Sequence, residues 1–216
     1  MNSQTLEKQL EPLLFPGLTW QQFKMVEPLL DVPGVRLSFL DGVLEIRRMP
    51  GKKHEVVKKR IAALLEAYME YTGIDFVPTG SMTLESEAGL VRREADESYE
   101  LGQDRERPDL AIEVVITSGG IDKLEAYKRL SIPEVWFWED GNLSLYRLCS
   151  TGGSLSYQPI TLSECLPSLD LALLQRCIDL PSHIQAVKEF RQAMAAPTAR
   201  ARLRKGISLP RENGDT

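Results

Sequence analysis

The chain has 216 residues, of which 43% are hydrophobic, with a formal net charge of -5 and a pI of about 5.3. This size suits one domain with a substantial core, and the acidic balance argues against a protein that coats nucleic acid through bulk electrostatics. No stretch approaches the roughly 20 apolar residues that cross a bilayer, and the first residues lack a signal-peptide pattern, so we expect a cytoplasmic protein.

The first 50 residues predict two short helices followed by a hairpin. A polar helix is expected over residues 4–14, and a second helix from Thr19, where Thr19 and Gln22 have the spacing of a capping box. The dipeptide Asp41-Gly42 favours positive φ angles, so it predicts a tight turn between two short strands.

A long helix is predicted next. Apolar residues recur at helical spacing over residues 53–71, and Gly73 suits the position that ends such a helix. Short strands are expected at 75–78 and 82–84, and the polar residues 85–94 are interpreted as a loop.

The central part of the chain predicts a βαβ crossover. Residues 110–116 read LAIEVVI, a branched apolar run typical of a strand buried on both faces. A helix at 121–130 and a strand at 134–138 follow, then a hairpin partner at 143–148 and, further on, a helix at 184–194. This order predicts an α/β fold with a mixed sheet.

The last residues differ from the rest in charge and periodicity. We expect residues 1–195 to form a single domain and residues 196–216 a basic, flexible tail, in which Arg200, Arg202, Arg204 and Lys205 cluster. Such a tail either contacts phosphates or is simply a solvated chain end.

Glu113 is the most informative residue for function. A carboxylate in the middle of a buried strand costs several kcal/mol to desolvate unless it is paired or bound to metal. Asp109 would share its sheet face at period two, and Asp96 ends a segment that could form the neighbouring strand. Such carboxylates would offer the hard oxygen ligands that Mg²⁺ or Mn²⁺ prefers, whereas the structural alternative pairs Glu113 with Lys123 or Arg129.

Other side chains could assist. Lys123 follows the Glu113 strand, and an amine beside a metal ion can hold the attacking water and neutralise charge developing on a phosphate. Tyr127 lies one turn later on the same helix face. His54 could contact a phosphate or transfer a proton. Glu45 and Glu55 are secondary carboxylate candidates, although Glu45 also suits a solvent-facing strand position and Glu55 suits the first turn of a helix, where an acid interacts well with the helix dipole.

Several short motifs stand in consistent order between Thr19 and Leu148. They are Asp41-Gly42-x-Leu44-Glu45-x-x-x-Met49-Pro50, His54-Glu55, Gly80-Ser81, Glu94-Ala95-Asp96-Glu97-Ser98-Tyr99, Pro108-Asp109-Leu110-Ala111-Ile112-Glu113-Val114, Asp122-Lys123-x-x-x-Tyr127 and Ile132-Pro133-Glu134-Val135-Trp136. Together they resemble the Uma-type restriction endonuclease family, which belongs to the PD-(D/E)XK nuclease superfamily.

The resemblance implies a restriction-endonuclease-like central mixed sheet flanked by helices. It places Asp96 as the first aspartate of the motif and Glu113 as the second acidic residue. The sequence departs from the motif in two places, since Ala95 replaces the proline and Val115 stands where the lysine would be. The lysine is then expected on the following helix, where Lys123 would supply it.

These observations lead to one preferred function and two alternatives. The preferred function is a Mg²⁺-dependent DNA endonuclease in which Asp96 and Glu113 bind the metal ion, Lys123 acts on water and His54 assists at the phosphate. We expect such an enzyme to work as a homodimer, because paired sites cut both strands. The alternatives are a catalytically weak or inactive DNA-binding or regulatory module, and a hydrolase of another phosphate ester.

Overall fold

The computed structural model describes residues 11–48, 51–116 and 120–196. Within these ranges five helices accompany a five-stranded and a six-stranded sheet, as expected of an α/β fold. The elements in chain order are β1 (Leu13–Pro16), α1 (Trp20–Leu30), β2 (Val35–Leu40), β3 (Val43–Arg48), α2 (Lys52–Thr72), β4 (Phe76–Pro78), β5 (Thr83–Ser86), β6 (Val91–Glu94), β7 (Glu97–Leu101), β8 (Leu110–Val115), α3 (Lys123–Arg129), β9 (Glu134–Glu139), β10 (Asn142–Thr151), β11 (Ser154–Ile160), α4 (Leu171–Asp179) and α5 (His183–Ala195).

The five-stranded sheet is antiparallel, with strand order β1-β3-β2-β6-β5. The predicted hairpin is confirmed: Asp41 and Gly42 have φ angles of 50° and 86°, which match the right-handed twist of β2 and β3. Helix α1 begins at the predicted capping box, in which Thr19 accepts from the Gln22 backbone and Gln22 accepts from the Thr19 backbone.

The predicted helix over residues 4–14 is wrong where it can be compared. Residues 4–10 lie outside the described residues, but Leu13–Pro16 form strand β1, which pairs with β3 through Leu13 and Ile46. The free edge of β3 offers backbone hydrogen-bonding groups to this segment. That tertiary pairing outweighs a weak local helix preference.

The prediction of a loop over residues 85–94 is also wrong. Strands β5 and β6 pair as a hairpin, and Leu90 adopts a φ of 47° in the turn. Buried Arg92 and Arg93 occupy positions where a strand pattern usually shows apolar residues. The charges therefore hide the strand from a search for hydrophobic alternation.

The six-stranded sheet is mixed, with strand order β11-β10-β9-β8-β7-β4. Strands β8 and β9 are parallel and joined through α3, which confirms the βαβ crossover. The neighbour of β8 on the other side is β7, and not the predicted segment that ends at Asp96. Asp96 instead lies where the chain passes from one sheet to the other, and its N–H donates to the Ile112 carbonyl (3.1 Å).

Each face of β8 packs against a different core. Ile112 and Val114 point to the larger core, which helices α2, α4 and α5 cover together with Trp136 and Trp138. Ala111 points to a second core that contains Ala126 of α3. Glu113 is two residues after Ala111 in the strand, so its side chain points to the same face of the sheet, the one that α3 covers.

None of the helices within the described ranges is long and apolar enough to cross a membrane. The basic tail falls after residue 196, outside the described residues. The division of the chain into a domain and a tail therefore stays a prediction.

Helix α1 is attached to the five-stranded sheet through an aromatic contact. Phe23 is fully buried and stacks on Phe39 with ring centroids 4.7 Å apart. We expect Phe23→Ala to lower the free energy of unfolding by about 3 to 5 kcal/mol, since it leaves a cavity in the core. Met25→Ala, at a residue of the same helix that is 69% exposed, should change it by less than about 0.5 kcal/mol in the same urea titration. Equal effects of the two substitutions would contradict this view of the helix.

Candidate active site

Glu113 is buried in strand β8 with its carboxylate paired on both oxygens. Its Oε1 accepts hydrogen bonds from Arg93 Nη2 (2.7 Å), Arg93 Nε (3.1 Å) and the Tyr127 hydroxyl (2.6 Å). Its Oε2 accepts from Lys123 Nζ (2.9 Å). Burial acts to raise the pKa of Glu113, but the charges of Arg93 and Lys123 outweigh it and hold that pKa below its usual range. Glu113 is therefore ionised inside the protein.

Asp96 lies between β6 and β7 and is equally enclosed. Its Oδ1 accepts from Arg36 Nη1 (2.5 Å), while its Oδ2 accepts from the Val114 N–H (2.7 Å) and lies 3.0 Å from His54 Nε2. Burial opposes ionisation, yet the hydrogen bond from His54 and the charge of Arg36 hold the pKa of Asp96 well below its usual range. The Val114 amide belongs to the Glu113 strand, so the two acids are structurally linked.

The four main candidates meet at one cavity. Asp96, Glu113, Lys123 and His54 all line a space of about 290 Å³ at the junction of the two sheets. Six further basic side chains line the same cavity: Arg36, Arg47, Arg48, Lys52, Lys53 and Arg93. The two carboxylates therefore lie in a strongly cationic environment.

Glu45 and Tyr127 adjoin this group without lining the cavity. Tyr127, one turn after Lys123 on α3, donates its hydroxyl to Glu113 Oε1. Glu45 accepts from the Ile121 N–H (2.9 Å) and from Arg47 Nε (3.0 Å), and it lies 3.7 Å from Arg93. Glu45 thus joins the β2–β3 hairpin to the chain just before α3.

Two acidic candidates lie elsewhere. Asp109 precedes the first residue of β8, so sheet alternation does not fix its direction, and it accepts from the Leu101 N–H (2.8 Å) outside the cavity lining. Glu55 pairs with Lys58 (2.9 Å) and with His54 Nδ1 (3.3 Å), as expected of an acid in the first turn of a helix.

Of the two cationic partners considered for Glu113, Lys123 contacts it and Arg129 does not. Lys123 does form the ion pair, but Arg129 bonds to Glu125 (3.0 Å) and lies 3.3 Å from Asp41 instead. Arg129 sits at the end of α3, where it extends toward the five-stranded sheet.

Arg36 and Arg93 were missed by the sequence analysis. Both extend from the five-stranded sheet to carboxylates held by the six-stranded sheet or next to it. Because a buried carboxylate requires a cationic partner, the sequence did indicate that some basic residues must contact the acids. The sequence contains no feature that shows which arginines cross between the sheets.

The donor chemistry of the site fits a magnesium or manganese ion. In the described part of the chain, Glu113 Oε2 and Asp96 Oδ1 each accept one hydrogen bond, so each oxygen keeps a lone pair. Mg²⁺ commonly uses one or two carboxylates and completes its coordination with water. No group of three or more His, Cys, Asp or Glu side chains that could hold a metal is present among the described residues, so a closed all-protein metal site is not formed there.

Arg93 is the main counter-charge of Glu113, and its removal tests that role. We expect Arg93→Met to lower the free energy of unfolding by about 3 to 5 kcal/mol, because it leaves a buried carboxylate poorly compensated. Adding Glu113→Leu to Arg93→Met should recover part of this loss in chemical denaturation. Arg105→Met, which removes an exposed partner of Asp109, should have an effect of at most about 1 kcal/mol. A small effect of Arg93→Met would show that Glu113 does not depend on this arginine.

Gly120 lies just before α3 and against Glu45. A Cβ atom there would overlap the Glu45 carboxylate, and the residue has a φ of 101°. Gly153→Ala is a matched control, since Gly153 has a φ of 81° with open space around it. We expect the control substitution to lower the free energy of unfolding by about 1 to 2 kcal/mol, because alanine is strained at this positive φ. Gly120→Ala should lower the free energy of unfolding by at least about 1 kcal/mol more than the control in thermal unfolding, because the added Cβ atom also overpacks the site. Equal losses in the two variants would contradict the close approach of Gly120 to Glu45.

Comparison with known proteins assigns the chain to a family. No curated protein matches it. The model of the Uma2 family, described as "Putative restriction endonuclease", matches residues 20–180, which include both sheets apart from β1 and all four main candidates. This chain is a member of the Uma2 family.

Proposed function

We propose that this protein is a Mg²⁺-dependent endonuclease that hydrolyses DNA phosphodiester bonds, with Mn²⁺ as an alternative ion. The observation that carries the proposal is the meeting of Asp96, Glu113, Lys123 and His54 at one cavity. Membership of a family with a nuclease description supports the same reaction class. The spacing and the charge of the two acids do not by themselves distinguish a phosphodiester from other substrates.

Asp96 and Glu113 are the residues that would hold the metal ion. When bound, the ion would supply Lewis-acid chemistry at the phosphoryl group. Arg93 and Tyr127 fix Glu113 through Oε1, so that Oε2 remains on the side of Lys123. This division gives the two oxygens of one carboxylate different tasks.

Lys123 and His54 would act on the water and the phosphate. The Lys123 side chain is 17% exposed and lines the cavity, so its ammonium group can donate to an attacking water and offset negative charge on the phosphoryl oxygens. His54 Nε2 already donates to Asp96, which orients the ring at the start of α2. From there it would assist at the scissile phosphate.

A second candidate is a catalytically weak or inactive nuclease-fold module that binds DNA or regulates another protein. Each oxygen of Asp96 and Glu113 already accepts from a basic side chain or an N–H, which competes with a metal ion. The departures from the family motif at Ala95 and Val115 point the same way. This module would bind metal weakly and would not catalyse hydrolysis.

Two further properties belong to the proposal. A homodimer would bring two sites to opposite strands of one duplex, and the exposed edge strand β1 gives the fold an edge at which chains could pair. A cytoplasmic location would give the enzyme access to DNA.

Nicking of supercoiled plasmid tests the proposed activity. With Mg²⁺ or Mn²⁺ we expect the wild-type protein to convert the plasmid to open circles, and EDTA to stop the reaction. Lys123→Ala should slow nicking by at least about 100-fold, because a preorganised charge at the phosphate is lost. Lys128→Ala removes a lysine from the same helix that pairs only with Glu125 among the described residues, and it should leave the rate unchanged.

Binding measurements separate the two candidate functions. Isothermal titration of Mn²⁺ into the wild-type protein and into Asp96→Asn should show an ion-binding event that the substitution weakens. Absence of nicking with either ion, together with absence of Mn²⁺ binding, would reject the nuclease and favour the inactive module. Nicking that survives Lys123→Ala would reject the assigned role of the lysine.

A further inference from the structure

The cavity is cationic within an acidic protein. Seven Lys or Arg side chains and His54 line it, against the two carboxylates Asp96 and Glu113, although the whole chain has a formal net charge of -5. A cleft lined by one sign of charge concentrates ions of the opposite sign. The cavity therefore favours an anionic ligand.

The cations fall into an inner and an outer set. The inner side chains are committed to acids. Arg36 pairs with Asp96, Arg47 with Glu45, and Arg93 and Lys123 with Glu113. The outer set, which we call the rim cations, consists of Arg48, Lys52 and Lys53, and all three are exposed. Within the described residues the structure records no ion pair for any rim cation. Their charge remains available to a ligand.

The size of the cavity limits what can enter. About 290 Å³ is at the lower end of the range for small-molecule sites, so the cavity can enclose only a short piece of a strand. The rest of a longer polyanion must extend out through the mouth of the cavity, where the rim cations lie. A small phosphate monoester carries a single phosphate and offers no second one to the rim cations.

We propose that the rim cations form a subsite for a phosphate next to the one at Asp96 and Glu113, so that the substrate is a polynucleotide strand and not a small phosphate ester. The assignment of the inner phosphate rests on the proposed nuclease function, whereas the rim subsite is defined by binding alone. Gly51 gives α2 no side-chain cap, which leaves first-turn N–H groups beside the rim cations as additional donors.

Equilibrium binding of DNA without divalent ions tests the subsite apart from any cleavage. A short fluorescein-labelled duplex is titrated with protein in EDTA over a series of salt concentrations, and anisotropy is recorded. Lys52→Ala/Lys53→Ala removes two rim cations. Lys59→Ala/Lys188→Ala is the matched control, since it removes the same charge from exposed residues that do not line the cavity.

For the rim variant we expect the Kd for the duplex to rise about tenfold at moderate salt. The plot of log binding constant against log salt concentration should become less steep by about 0.9 for each phosphate that the variant no longer neutralises. The control should stay within about twofold of wild type, with an unchanged slope. An equal effect of both double variants would overturn the subsite, because it would indicate only a reduction of general charge.

Plasmid nicking keeps the two proposals distinguishable. Wild-type protein that binds with the expected salt slope but does not nick would leave the rim subsite in place and reject the nuclease. Protein that nicks with an unaltered KM in the rim variant would leave the nuclease in place and overturn the subsite.

Discussion

A carboxylate placed in the middle of a buried strand is stable only if cations compensate it, and the ion pair between Glu113 and Arg93 meets that requirement here. Glu113 is 1% exposed and Arg93 is 3% exposed, so the pair is almost free of solvent screening. In such a pair the desolvation of both ions opposes their attraction, and only good geometry makes it favourable. Two bonds from Arg93 and one from Tyr127 supply that geometry at Oε1.

The same interaction joins the two sheets. Arg93 and Arg36 come from the five-stranded sheet, and the acids they contact belong to β8 or immediately precede β7 in the six-stranded sheet. Glu45 adds a third link by accepting from the backbone at Ile121. The candidate site is therefore a product of sheet packing. A change that separates the sheets would expose both acids and displace Lys123 at the same time.

This arrangement would also explain how an acidic protein could offer a site to the polyanion that we propose as its substrate. The charges that matter are local, because the Debye length at physiological ionic strength is about 8 Å and distant surface acids are largely screened. The paired inner cations neutralise Asp96 and Glu113, and the rim cations leave a net positive mouth. The family description supports the phosphodiester substrate that we propose, and the cations of the cavity are compatible with it. The tight pairing of both acids is what favours the inactive alternative.

Local features of the sequence were sufficient for the elements with strong signals. The Asp41-Gly42 turn, the capping box at Thr19 and the apolar run around Glu113 predicted the hairpin, α1 and the βαβ unit, since turn chemistry, capping and burial pattern act over a few residues. Spacing and family resemblance together selected Asp96, Glu113, Lys123 and His54. Only the tertiary structure placed these four at one cavity, turned residues 91–94 into a strand and brought Arg36 and Arg93 to the acids. Those outcomes depend on pairing and charge contacts between residues about 20 to 60 positions apart, and local propensity carries no information about such contacts.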